Sequence, residues 1–152
     1  MKNVTSAKKG FTLIEILIVI GIIAILAAIV IIAINPAKQF AQARNAQRES
    51  NVNTILNAIG QNIADNKGTF TCAGVTITAA AKNIGTGAGN ADLNSCLAPT
   101  YIPTAVPFDP SGGATADTLY TVSVDTVGRY TVCAPKHAEA PVPGSVAYCL
   151  TR

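Results

Sequence analysis

The sequence predicts an α+β chain, in which a long and partly transmembrane N-terminal helix packs against a small antiparallel β-sheet head. Three observations predict it. The residues from Ile16 to Ile34 form an unbroken uncharged stretch dominated by Ile. Apolar residues then recur at helical spacing as far as Ile63, and near the C-terminus they alternate with polar ones at the period of a strand.

The apolar stretch comes first. In helical form it spans roughly 28 Å at about 1.5 Å per residue, close to the hydrocarbon thickness of a bilayer. A cleavable secretory signal usually has a shorter apolar run ending in small residues, and Ala33-Ile34-Asn35 fits that pattern poorly. Lys2, Lys8 and Lys9 precede the run, whereas Asn35 and Pro36 follow it, so the positive-inside bias keeps the N-terminus cytoplasmic and exports the head. Those lysines also explain the formal charge of +3: without these three of the 11 Lys and Arg, 8 remain against 8 Asp and Glu. The head is therefore balanced, which argues against a nucleic-acid-binding surface. With 152 residues in all, one modest head domain is the ceiling.

Lys8-Lys9-Gly10-Phe11-Thr12-Leu13-Ile14-Glu15, running directly into the apolar helix, resembles the prepilin processing signature of the type IV pilin and type II secretion pseudopilin family. The resemblance implies that a membrane-embedded prepilin peptidase cuts between Gly10 and Phe11 and that the new amino group of Phe11 is methylated. Glycine suits the cut because it lets the backbone extend into a protease cleft. It further implies a structural subunit rather than an enzyme, one that polymerises through its N-terminal helix.

Glu15 is the exception in this segment, since a carboxylate within a membrane helix costs about 2.5–3.5 kcal/mol at the centre and less near an end. After cleavage it would lie four residues from the Phe11 amine, in the first turn, where the helix dipole favours negative charge. The resemblance implies an assembly role: the glutamate of an incoming subunit neutralises its neighbour's N-terminal amine.

Asn35-Pro36 interrupts the helix, and a kink at Pro36 is expected. Many pilins carry this proline about one turn earlier, where Ile32 stands here. Phe40, Val52, Ile55, Leu56, Ile59 and Ile63 then form the apolar face of a second, amphipathic helix, with Arg44, Arg48, Glu49, Asn57 and Asp65 flanking it. Its first half, from Gln39 to Ser50, is weakly apolar and suits polar neighbours in a filament better than a globular core. Asn66-Lys67-Gly68 is the stop signal.

Residues 73–95 are rich in Ala, Gly, Asn and Thr and read as a surface loop; Gly85-Thr86-Gly87-Ala88-Gly89 lacks the spacing of a dinucleotide fingerprint. Tyr120, Val122 and Val124 alternate with polar residues, as do Tyr130, Val132 and Ala134, predicting a hairpin that turns near Thr126 to Gly128. A third strand is expected from Val146 to Leu150, giving three strands over one helix.

Cys72, Cys96, Cys133 and Cys149 all follow the apolar run, and without a close CxxC pair they read as two disulfides formed in an oxidising compartment. Parity places Cys133 and Cys149 opposite the apolar faces of their strands. Among the three possible connectivities this favours Cys133 with Cys149 and, by elimination, Cys72 with Cys96. A C-terminal loop closed in this way resembles that of many type IV pilins.

No nucleotide, zinc-protease or serine-hydrolase motif occurs, and no cofactor or metal is expected. His137 reads as a solvated loop residue. Asp109, Asp117 and Asp125 are too dispersed for a calcium loop and suit turns and strand ends. Asp109-Pro110 before the hairpin is similar to the major pseudopilins, which stabilise their C-terminal loop with calcium, but here Glu139 is the only carboxylate there. Lys38, Arg44 and Arg48 read as a solvated or subunit-facing surface rather than a direct DNA contact. The expected organisation is a cleaved leader at 1–10, a transmembrane and filament-core helix at 11–34, an amphipathic helix at 35–68 and a head at 69–152. The expected partners are prepilin peptidase, the assembly machinery, the inner membrane before assembly and further copies of the same chain in an extracellular filament. A membrane-anchored monomeric binding domain is the remaining reading.

Overall fold

The computed structural model describes residues 10–140, 142, 144 and 146–152. Lys2, Lys8 and Lys9, and all of the expected leader except Gly10, lie outside the described residues. The chain divides into two compact units, 1–36 and 37–152.

In the first unit, helix α1 runs Leu13–Ile34 and buries none of its side chains. Among the described residues it is the helix long and apolar enough to cross a membrane. At its end Asn35 takes a left-handed conformation with φ 48°, one of the few non-glycine residues that does so readily.

The second unit is built on α2, Pro36–Asp65. Pro36 is tolerated as its first residue because the N–H it lacks would have no intrahelical partner there. The helix stops where Lys67 and Gly68 turn left-handed and the Gly68 N–H reaches back to the Ile63 carbonyl at 2.9 Å. Four antiparallel strands follow in the order β1 (Lys82–Asn83), β2 (Thr121–Val124), β3 (Tyr130–Ala134) and β4 (Tyr148–Thr151), each paired with the next. Asp125 holds the β2–β3 turn, accepting from the N–H groups of Val127 and Arg129.

Val52, Ile55, Leu56 and Ile59 of α2 pack with Tyr120, Val122, Val132 and Ala134 of the sheet side to form one core. Phe40 departs from the helical reading: it is 66% exposed and outside that core. The weakly apolar half of α2 departs in the opposite direction, since Ala41, Asn45 and Arg48 are buried within this unit.

Two further corrections concern the head. The third strand of the sequence reading begins two residues later, at Tyr148, and Val146 is exposed. The segment read as surface loop supplies β1, the first half of the four-residue helix α3 (Asn94–Leu97) and the buried Ile84, Ala91 and Leu93. Its glycines have a packing role: a Cβ on Gly85 would lie 2.3 Å from the Ala116 carbonyl oxygen, and one on Gly87 2.7 Å. The Gly87 N–H donates to that same oxygen at 2.8 Å, so both residues must be small for the two backbone segments to meet.

Disulfides join Cys72 to Cys96 and Cys133 to Cys149. Cys133 and Cys149 stand directly opposite each other on β3 and β4, with Cα atoms 4.1 Å apart. Tyr130 and Arg152 exchange both backbone hydrogen bonds, so by alternation the cysteine pair falls at a closely spaced, non-hydrogen-bonded position.

Candidate functional site

The first described residue of the segment read as a processing signature is Gly10, where a Cβ would meet nothing within 4 Å. Phe11 is 82% exposed. Thr12 is the N-cap of α1: its Oγ1 accepts from the Glu15 N–H at 3.2 Å, and its own N–H donates to Glu15 Oε2 at 3.4 Å. This reciprocal arrangement is a capping box, which satisfies two N–H groups that the helix itself leaves unpaired. The segment therefore gives Glu15 a local partner that reasoning on the Phe11 amine alone missed. The signal was present in the sequence as Thr12-x-x-Glu15 ahead of an apolar run.

Gly10, Phe11 and Glu15 thus lie together at the start of α1, and Pro36 lies at the first position of α2. The four cysteines belong to the head, where they form the two bridges already described. Among the described residues no group of three or more His, Cys, Asp or Glu side chains is arranged to hold a metal ion.

The head carries an ion cluster that sequence reasoning did not find. Arg48 and Asp109 are both fully buried and meet in a two-pronged pair, Nε to Oδ2 at 2.7 Å and Nη2 to Oδ1 at 3.0 Å. Arg48 Nη1 donates to Asn45 Oδ1 at 2.7 Å and to Glu139 Oε2 at 2.6 Å, while Nη2 also donates to Ser111 Oγ at 2.8 Å. All five guanidinium donors are used, the condition for burying this group at tolerable cost. Arg44 adds a second guanidinium to Glu139, with Nε donating at 2.9 Å to Oε1 and Nη2 to the same oxygen.

These contacts set the charge states. Hydrogen bonds from Arg44 and then Arg48 lower the Glu139 carboxyl to about 2. Burial pushes Asp109 upward, but the Arg48 and Ser111 hydrogen bonds outweigh it and leave the group below its ordinary value. Arg44 and Arg48 therefore face the head's own acids rather than a solvated surface. Asp117 accepts from Asn83 and the Leu119 N–H, and Asp125 holds the β2–β3 turn and pairs with Arg129. His137 is not a solvated loop residue either. Its side chain is 15% exposed and contacts Glu49 and the Val146 carbonyl.

Comparison with known proteins agrees with the geometry at the N-terminus. Residues 5–34 match the family model described as the prokaryotic N-terminal methylation motif. No curated protein and no solved structure matches the chain. The N-terminal segment, from the described Gly10 through the capped apolar helix, is thus a prokaryotic N-terminal methylation motif, the signature of type IV pilins and pseudopilins.

Proposed function

We propose that this chain is a structural subunit of a type IV pilus-like filament and does no chemistry of its own. The observation that carries the reading is a methylation motif running without interruption into a helix that buries none of its apolar side chains. Such a surface needs either lipid or other helices around it, and a filament subunit uses the two in succession. Prepilin peptidase cuts after Gly10, Phe11 receives the methyl group, and the subunit waits in the inner membrane with its head outside the cytoplasm. Polymerisation then transfers α1 from lipid into the filament core, with Glu15 setting the register against a neighbour's amine.

The C-terminal loop favours a pilus over a calcium-stabilised secretion pseudopilin. Its carboxylate, Glu139, already has two guanidinium partners, which leaves it poorly suited to a cation. The same pairs occupy Arg44 and Arg48, two of the three cations that a direct DNA contact would use. Intact mass and N-terminal sequencing of the protein taken from cells test the reading. A start at Phe11 with one added methyl is expected, and filaments on the cell surface by microscopy would separate pilus from secretion filament. A retained leader, or a cut near Asn35, would return the chain to a membrane-anchored or secreted binding domain.

A further inference from the structure

Phe40 is the large hydrophobic side chain that α2 leaves exposed. Pro36, Ala37 and Ala43 lie four and three residues from it, hence on the same side of the helix, and all three are exposed as well. Farther along α2 the exposed surface is dominated by Gln47, Ser50, Thr54 and Asn57. The apolar patch is thus confined to the first turns of the helix, and it takes no part in the core of the head.

Chain length limits where this patch can be. Helix α1 has 22 residues, about 33 Å at the helical rise, which fills a hydrocarbon core about 30 Å thick. From Ile34 to Pro36 the chain reaches at most about 7 Å, and the helical steps from Pro36 to Phe40 add about 6 Å. Whatever the angle between the helices, the Phe40 Cα therefore lies within about 13 Å of the end of the span. The headgroup layer is about 5–8 Å deep on each side. The patch starts inside that layer, and the Phe40 ring can reach back to it.

The chemistry suits the same place. A phenyl ring has no hydrogen-bonding group to satisfy, and an apolar helix face carrying one settles at the boundary between headgroups and acyl chains. Residues 16–48 contain no Asp or Glu to oppose lipid phosphates, and Lys38 adds a cation just after Pro36, where long basic side chains reach for the interface. The acids that approach this half of α2 from the head, Asp109 and Glu139, are balanced by Arg48 and Arg44.

We propose that Pro36, Ala37, Phe40 and Ala43 form an interfacial anchor, which rests among the phospholipid headgroups and upper acyl chains on the outer side of the bilayer while the subunit is stored there. This anchor presupposes α1 as a membrane span, the reading proposed above. It gives the first turns of α2 a lipid partner before assembly, and these turns must leave the lipid when the subunit enters a filament.

The chain contains no tryptophan, so a single introduced indole reports only on its own surroundings. Full-length Phe40→Trp and Ile23→Trp are each reconstituted in phosphatidylcholine–phosphatidylglycerol vesicles whose lipids carry bromine either near the headgroups or near the ends of the acyl chains. Emission from Phe40→Trp should be blue-shifted relative to an indole in water and quenched most by the shallow bromines. Ile23→Trp, near the middle of α1, should be quenched most by the deep ones. Deep quenching of Ile23→Trp with no quenching of Phe40→Trp would overturn the anchor and leave the span intact. Blue-shifted but unquenched emission from Phe40→Trp would also overturn it, and would put a second copy of the chain against the patch. Strongest quenching of Phe40→Trp by deep bromines would overturn it too, by making the patch part of the span. If deep bromines failed to quench Ile23→Trp, the span itself would fall and the anchor with it. Phe40 lies outside the core, so its replacement should leave the disulfide pattern of the head unchanged, which peptide mapping checks.

Discussion

Arg48 shows what a single side chain can commit a fold to. Replacing it with Met keeps much of its volume but leaves Asp109 buried without its counter-charge, which should cost about 3–5 kcal/mol in denaturant unfolding. Adding Asp109→Leu should recover most of that loss, because removing both charges also removes the desolvation cost. Acid acts on the same cluster. Glu139 and Asp109 are both depressed in the folded head, so their contribution is complete above the unfolded carboxylate range and is lost as protons are taken up. Stability should therefore fall from about pH 4.5 toward about pH 2, and Glu139→Gln should flatten that fall, as a series of urea melts would reveal. The cluster was hidden in the sequence because its partners lie 61 and 91 residues from Arg48. One clue was available: Arg48 falls on the same helical stripe as Val52 and Ile55. Its charge reads as a sign of solvent, whereas its position on the stripe points to burial.

The elements divide by how local their signals are. Helix α1 was legible from composition, the β2–β3 hairpin from alternation, and the end of α2 from Lys67 and Gly68. Neither β1 nor α3 was, because two and four residues are too few to establish a period; β1 is held by its pairing with β2, and α3 by the burial of Leu97. The disulfides matter most in a sheet this small. Closing a loop of 16 or 24 residues stabilises by about 3 kcal/mol each in the chain-entropy account, so Cys72→Ser/Cys96→Ser and Cys133→Ser/Cys149→Ser should each lower the unfolding midpoint substantially. A midpoint unchanged in either double variant would mean that the hydrogen-bonded frame holds that loop alone. On α1, Glu15→Ala should be processed and inserted normally yet yield few filaments, because the proposed pairing with a neighbour's amine needs the carboxylate, whereas the capping bond to the Thr12 N–H is one local helix-end contact. Filaments in normal amount from that variant would remove Glu15 from the mechanism.

At the scale of the molecule the two compact units carry separate kinds of information. Among its described residues the first unit, 1–36, buries no side chain of α1, and this helix depends on a nonpolar environment around it. The second, residues 37–152, contains the apolar core, the ion cluster and both disulfides. A unit with its own core and covalent bridges folds without outside help. Residues 37–152, produced in an oxidising compartment, should therefore be a soluble monomer with Cys72 joined to Cys96 and Cys133 to Cys149, and Arg48→Met should destabilise it as much as it does the head of the full chain. Conversely, replacing Gly10 with Val should block processing while leaving head stability and disulfide pattern unchanged, since Gly10 belongs to the first unit and a Cβ there would meet nothing within 4 Å. Light scattering, peptide mapping and unfolding midpoints would read all three. If the isolated unit aggregated or shuffled its disulfides, the first unit would be contributing to the folding of the second, and export, processing and head formation could no longer be treated as separable steps.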